Sequence, residues 1–205
     1  MLRARALGRD RPTSRRLGSR PTSRASAAGP PVGLALSRFS ASSPDRTVIR
    51  LVDMTPEEFR GFLERSIPDY ARALARSGRW TAADALERAR AEYAQLLPHG
   101  VETPNHFLRT VHDASVDGRV GEVWYAFQQQ ESWPQLFLHW IGIDEPYRRR
   151  GYASEVLRRL ELEAGRRGAV RIALHVFGDN ATARTFYEGM GYEATNILMA
   201  KRLSR

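Results

Sequence analysis

"IDEPYRRRGYASEVL", residues 143–157, decides how the rest of the chain is read. Before it stands the densely apolar run "QLFLHWIGID" (135–144), which reads as a central strand. Pro146 breaks that strand, and from Tyr152 onward Val156, Leu157, Leu160 and Ala164 share one helical face, with Glu155 and Arg159 paired four apart outside it. Residues 148–153 are therefore the turn that feeds a helix N-terminus. Such a terminus presents unpaired N–H groups and the positive end of the helix dipole, and Gly151 lets an anion reach the main chain with no Cβ in the way. A phosphate would fit this nest of amides. Taken alone, an arginine run before a glycine is more often a solvated turn.

Working outward, "TVIRLVDM" (47–54) alternates as a first strand, and "TPEE" supplies Thr55 as N-cap, Pro56 at the first helical position and Glu58 to complete a capping box. Phe59, Phe62, Leu63, Ile67, Ala71 and Leu74 recur at helical spacing; Pro68 is expected to bend or split this helix and Gly78 to end it. A second helix follows Thr81 and stops at Pro98 and Gly100. "HFLRTVHDASVDGRVGEVWYAFQQ" (106–129) reads as two strands around the hairpin signal Asp117-Gly118, with 135–144 as the third member of the meander. "AVRIALHVF" (169–177) is a strand, Asn180 to Met190 a short helix, and "YEATNILMAKRL" (192–203) a last strand. This order predicts one mixed α/β sheet in a single domain, 47–205.

The net charge of +9 suggests nucleic acid until its distribution is inspected. Residues 1–46 carry ten arginines and two aspartates, whereas the remainder carries 22 basic and 21 acidic groups. The folded part is nearly neutral, so neither a nucleic-acid nor a membrane partner is expected. The first 46 residues, rich in Arg, Ser and Pro with few apolar anchors, are expected to be disordered: a solvated extension, a targeting segment, or an upstream start read as protein. The absence of cysteine removes thiolate chemistry and fits a reducing cytoplasm, and the five scattered histidines lack metal-site spacing, so no metal is expected.

Arg148-x-x-Gly151-x-Ala153 resembles the Arg/Gln-x-x-Gly-x-Gly/Ala signature of the GNAT N-acetyltransferase superfamily, and it sits between the expected strand and helix. "LHVFGDNATARTFYEGMGY" (174–192) is similar to the second half of that family's cofactor site, with Asn180, Ala183, Phe186, Tyr187, Gly191 and Tyr192 in matching places. "LLPHGVETPNHFL" (96–108) resembles a bacterial subgroup of unassigned substrate. The resemblance covers about residues 47 to 203. It implies a splayed central sheet in which the strands through Ile143 and Leu174 part, so that the pantetheine arm of acetyl-CoA slots between them and bonds main-chain groups near Ile141 and Ile143. It implies a pyrophosphate resting on the amides of Arg149, Arg150, Gly151, Tyr152 and Ala153, with the side chains of Arg148 to Arg150 adding charge-assisted contacts.

For the reaction, a neutral amine must attack a thioester carbonyl, the oxyanion needs a donor and the departing thiolate gains from a proton. Tyr187 matches the family's tyrosine beside the thioester sulfur and is the expected general acid; the main-chain N–H near Ile143 is the expected oxyanion donor. The base is less well marked: Glu102, His139, His106 and Glu122 are candidates by position, and Trp80, Trp124 and Trp140 are candidates to line the acceptor pocket. Expected partners are acetyl-CoA and an amine acceptor, with the chain a monomer or homodimer. A competing reading is an acyl-CoA-binding regulatory module without turnover.

Overall fold

The computed structural model describes residues 49–116, 118–129 and 133–201. The expected disorder of residues 1–46 and the hairpin residue Asp117 lie outside them. Five strands, β1 (Ile49–Asp53), β2 (His106–Asp113), β3 (Gly118–Gln129), β4 (Pro134–Ile143) and β5 (Arg171–Leu174), form one sheet in sequence order, antiparallel except for the parallel pair β4–β5. Four helices accompany it: α1 (Pro56–Arg76), α2 (Ala85–Leu96), α3 (Tyr152–Arg166) and α4 (Ala181–Gly189).

The capping box forms as expected: the Glu58 amide donates to Thr55 Oγ1 at 3.2 Å and the Thr55 amide to Glu58 Oε2 at 2.8 Å. α1 runs unbroken through Pro68, and Gly78, at φ 73°, follows its C-cap Ser77. β3 is the middle strand, buried from Val120 to Ala126. Its pleat sends successive side chains to opposite faces. Val123 and Tyr125 join Val156, Leu157 and Leu160 of α3 in one core, whereas Trp124 joins Phe62 of α1 and Tyr93 of α2 in the other.

β4 departs from this alternation at one point. Tyr125 pairs with Leu138 and Trp124 with Trp140, leaving His139 without a partner across the ladder. This β-bulge inverts the strand, so Leu138 packs with the α3 core and Trp140, two residues later, with the α1–α2 core.

Two expectations need correction. The fifth strand spans 171–174 rather than 169–177, because its partner β4 turns away after Leu138. The expected last strand does not form: residues 193–201 are neither helix nor strand, and Ile197, Leu198 and Met199 are exposed. A strand needs a ladder partner, and the four residues of β5 offer little edge.

α3 is anchored to the sheet by a buried hydrogen bond, the Tyr152 hydroxyl donating to Asp113 Oδ2 at 2.6 Å. That bond first, and the Ser115 amide second, hold the Asp113 carboxyl below the usual carboxylate range. A depressed carboxylate pKa contributes stability that is present above the unfolded value and lost as pH falls through the folded one. Tyr152→Phe is therefore expected to cost about 1–3 kcal/mol at pH 7. Urea denaturation at pH 7 and pH 3 should show the gap from the native chain narrowing in acid.

Candidate active site

The parting of β4 from β5 creates the site. Gln135 to Leu138 pair with Arg171 to Leu174; beyond them β4 continues for five residues while β5 has ended. Which way the main chain of that extension points follows from the ladder on its other side. The Asp144 amide donates to the Val120 carbonyl at 2.9 Å, and the register sets Gly142 opposite Glu122 and Gly121 opposite Ile143. Hydrogen-bonded pairs alternate along an antiparallel ladder, so Gly142 turns its main-chain groups toward β3 while Ile141 and Ile143 turn theirs outward. Both residues expected to meet a pantetheine arm thus turn main-chain groups to the gap, and among the described residues the Ile143 carbonyl accepts from Arg148 Nε at 3.0 Å.

At the end of β4 the chain makes a 3-10 turn, Glu145–Tyr147, and then winds through two left-handed residues, Arg149 at φ 63° and Gly151 at φ 83°. Gly151 is the N-cap of α3, and among the described residues no side chain caps that end, which leaves the amides of the first turn to solvent or to an anion. A Cβ on Gly151 would meet no protein atom within 4 Å; the backbone angle, not crowding, demands glycine there. The three arginines behave differently. Arg148 bonds back to Ile143, Arg150 lies over the Tyr147 ring at 5.8 Å, and Arg149 is exposed. Tyr152, buried on Asp113, offers only its main chain, while Ala153 keeps the first turn small.

Asn180 caps α4, its Oδ1 accepting from the Ala183 amide at 3.1 Å. Phe186 and Tyr187 lie on this helix with ring centroids 5.3 Å apart, and Tyr192 is 5.6 Å beyond Tyr187. All three pack against the α3 core. Burial raises the Tyr187 phenol above its ordinary value and pushes Tyr192 up to about 12. Asp179, just before α4, pairs with Arg76 at the end of α1 at 3.2 Å.

The candidate bases are not gathered together. Glu102 is exposed on the 3-10 turn Gly100–Glu102 and makes no side-chain hydrogen bond among the described residues. His139, the bulge residue, stacks on Trp124 at 4.3 Å, and its Nε2 is buried without a partner among the described residues. Burial first, and the neighbouring His106 and His175 after it, push His139 down to about 3, so it is neutral at working pH. His106 accepts from Trp124 Nε1 at 3.0 Å through Nδ1, and burial lowers it as well. Glu122 is buried with Oε2 held at 2.7 Å by both Arg65 and Arg119. Sequence reasoning missed this clamp: Arg65 lies 57 positions from Glu122, and no local signal joins them. Trp124 is buried in the α1–α2 core opposite Trp140, which packs on the same core from β4, and Trp80 packs on Tyr70.

The parallel pair is split, the longer strand turns main-chain groups outward, and the helix that follows it starts without a side-chain cap among the described residues. Residues 69–192 match the model of the acetyltransferase (GNAT) family, and the chain belongs to that family. Its family uses acetyl-CoA as co-substrate, and the chain is an N-acetyltransferase. YycN of Bacillus subtilis (strain 168), an N-acetyltransferase by name, is 36% identical over 155 residues, 76% of this chain and 99% of the relative. YdgE of the same organism, also named an N-acetyltransferase, is 35% identical over 153 residues, 75% of this chain and 97% of its own. The crystal structure of YycN superposes with a TM-score of 0.72 at 35% identity, over 77% of this chain and all of that one. A transcriptional regulator from Bacillus halodurans C-125, 17% identical with a TM-score of 0.51, shares the fold alone.

A β-branched side chain at the αL position of Gly151 would cost roughly 1–2 kcal/mol or force the nest to unwind. Gly151→Val is therefore expected to weaken acetyl-CoA about tenfold or more by calorimetry, with the far-ultraviolet circular dichroism unchanged. Unaltered affinity would separate the nest from the cofactor.

Proposed function

We propose that this chain transfers an acetyl group from acetyl-CoA to a primary amine by direct attack within a ternary complex. The observation that carries the reading is the outward turn of Ile141 and Ile143 on a strand that has lost its neighbour. Acetyl-CoA supplies the thioester. The main chain of Ile141 and Ile143 binds the pantetheine arm as a missing strand would, and the amides of Arg149 to Ala153 receive the pyrophosphate. The arginine side chains of 148–150 add charge, Arg148 by leaving the Ile143 carbonyl. Asn180 and Ala183 hold the start of α4, which carries Phe186 and Tyr187 toward the thioester.

The N–H near Ile143 polarises the thioester carbonyl. Tyr187 donates a proton to the sulfur as it leaves. Its raised pKa supports this role, because the phenol stays protonated at neutral and mildly basic pH. His139 stands at the bulge beside the split and Glu102 on an exposed turn, which favours His139 as the acceptor of the amine proton. The buried imidazole is a weak base, so it would take this proton in step with loss of the thiolate, when the nitrogen becomes that of an amide and can no longer hold it.

Incubation with acetyl-CoA and a panel of primary amines should release CoA in an amine-dependent way; binding without such release would favour an acyl-CoA-binding module instead. Tyr187→Phe is expected to lower turnover by about 10²–10⁴-fold, the range of general-acid contributions, while the acetyl-CoA dissociation constant stays within about twofold of native, a difference of ~0.4 kcal/mol. Full turnover in this variant across pH 6–9 would remove Tyr187 from the mechanism.

A further inference from the structure

Whatever bridges the split between β4 and β5 bears on what can enter it. The last pair of the parallel ladder is Leu138 with Leu174, so His139 and His175 are the first residues of the two diverging arms. The Phe137 ring meets both, at centroid distances of 4.8 and 5.4 Å. The two faces of this fork are not alike. α3, whose open end is proposed to receive the cofactor's phosphates, packs on the face of Val123 and Tyr125, whereas α1 and α2 pack on the face of Trp124. On that reading the α1 side is left for the acceptor.

There the end of α1 reaches across the fork. Arg76 Nε donates to Asp179 Oδ2 at 3.2 Å, linking the helix that packs on Trp124 and Trp140 to the chain just beyond β5. Both side chains are more than half exposed, and so open a pair adds little stability and is easily displaced. Arg79 stands close by on a fixed turn. Gly78, at φ 73°, brings the chain round so that the Arg79 and Trp80 amides both donate to the Leu74 carbonyl, at 3.1 and 3.4 Å, and Trp80 is pinned edge-on to Tyr70 at 5.7 Å. The Arg79 side chain is exposed and has no hydrogen bond or ion pair among the described residues. Partial burial lowers His175 and the Arg79 guanidinium lowers it further, so that charge is felt at the fork. Two guanidinium groups thus face one carboxylate at this mouth.

We propose that the acceptor is a primary amine that also carries a carboxylate, and that Arg79, joined by Arg76 as it leaves Asp179, holds that carboxylate at the mouth of the fork. The inference rests on the acetyl-transfer reading and names its substrate class. Charge decides among the candidates. A diamine would bring a second ammonium against two guanidinium groups, and a simple alkylamine would gain nothing from them. An amino acid answers the positive mouth with its own carboxylate. The same field aids the chemistry, because a neighbouring cation lowers the pKa of an ammonium and so raises the fraction of neutral amine able to attack.

Initial rates of CoA release with matched acceptors test this: glycine, β-alanine and γ-aminobutyrate, each beside its own amide. The native chain is expected to prefer at least one acid over its amide by about tenfold or more in kcat/KM for the neutral amine, the scale of one charge-assisted contact. Arg79→Gln should bring that ratio close to unity through KM, Arg79→Lys should keep part of it, and Asp179→Asn, which frees Arg76, should raise it. A ratio near unity for every pair in the native chain overturns the proposal. So does a preference that survives Arg79→Gln and Arg76→Gln combined, or turnover confined to amines without a carboxylate. If acetyl-CoA binds by calorimetry and no amine at all releases CoA, the transfer reading fails and the inference falls with it; a chain that turns over without the preference sinks the inference alone.

Discussion

One unpaired residue in the middle of β4 governs the rest of this molecule. Where His139 is inserted, two residues face one on β3, and the strand is both bent and turned over. Before the bulge, β4 pairs on both sides, as an inner strand should. After it, the strand keeps its ladder with β3 but loses β5, and the main chain of Ile141 and Ile143 faces the space between. Hydrophobic packing holds the distortion in place from both sides. Leu138 belongs to the α3 core and Trp140 to the α1–α2 core, and a regular strand could not serve both. His139 itself is pinned by stacking on Trp124 and by contact with Phe137 at 4.8 Å.

The second constraint is electrostatic. An arginine-rich loop with two left-handed residues would be a poor structural element by itself, since a non-glycine residue at positive φ is disfavoured. It is tied down at both ends, by Arg148 on the Ile143 carbonyl and by Tyr152 on Asp113. The buried Tyr152–Asp113 bond links the first turn of α3 to β2, so the open amides are fixed relative to the sheet rather than to a loop. Across the sheet, Glu122 joins Arg65 of α1 to Arg119 of β3 with a single carboxylate oxygen. A side chain so engaged reads as a tie between helix and strand.

Much of this was legible in the sequence where the controlling physics is local. The capping box at Thr55, the strands to either side of Asp117, the apolar run of β4 and the need for glycine at 151 are all properties of a few consecutive residues. The bulge was not legible, because Leu138 and Trp140 look by simple alternation like neighbours on one face. β5 proved short and the last strand absent for a related reason: a strand exists only where a partner lies beside it, and partners are set by the whole sheet. The ion clamp on Glu122 and the bond from Tyr152 to Asp113 join residues 57 and 39 positions apart, and nothing in either neighbourhood announces the other. The burial that lowers His139 and raises Tyr187 is likewise a property of the packed molecule.

The bond from Arg148 to the Ile143 carbonyl bears on the proposed cofactor site, because that oxygen already has a partner. A ligand amide that wants this oxygen must displace a guanidinium, which then swings outward to where a phosphate would sit. On the proposed reading, entry would trade one hydrogen bond for another and add an ion pair, so the gain in affinity would come from the charged end of the ligand. A fragment lacking phosphates, such as a simple pantetheine thioester, would have to evict the arginine with nothing to offer it.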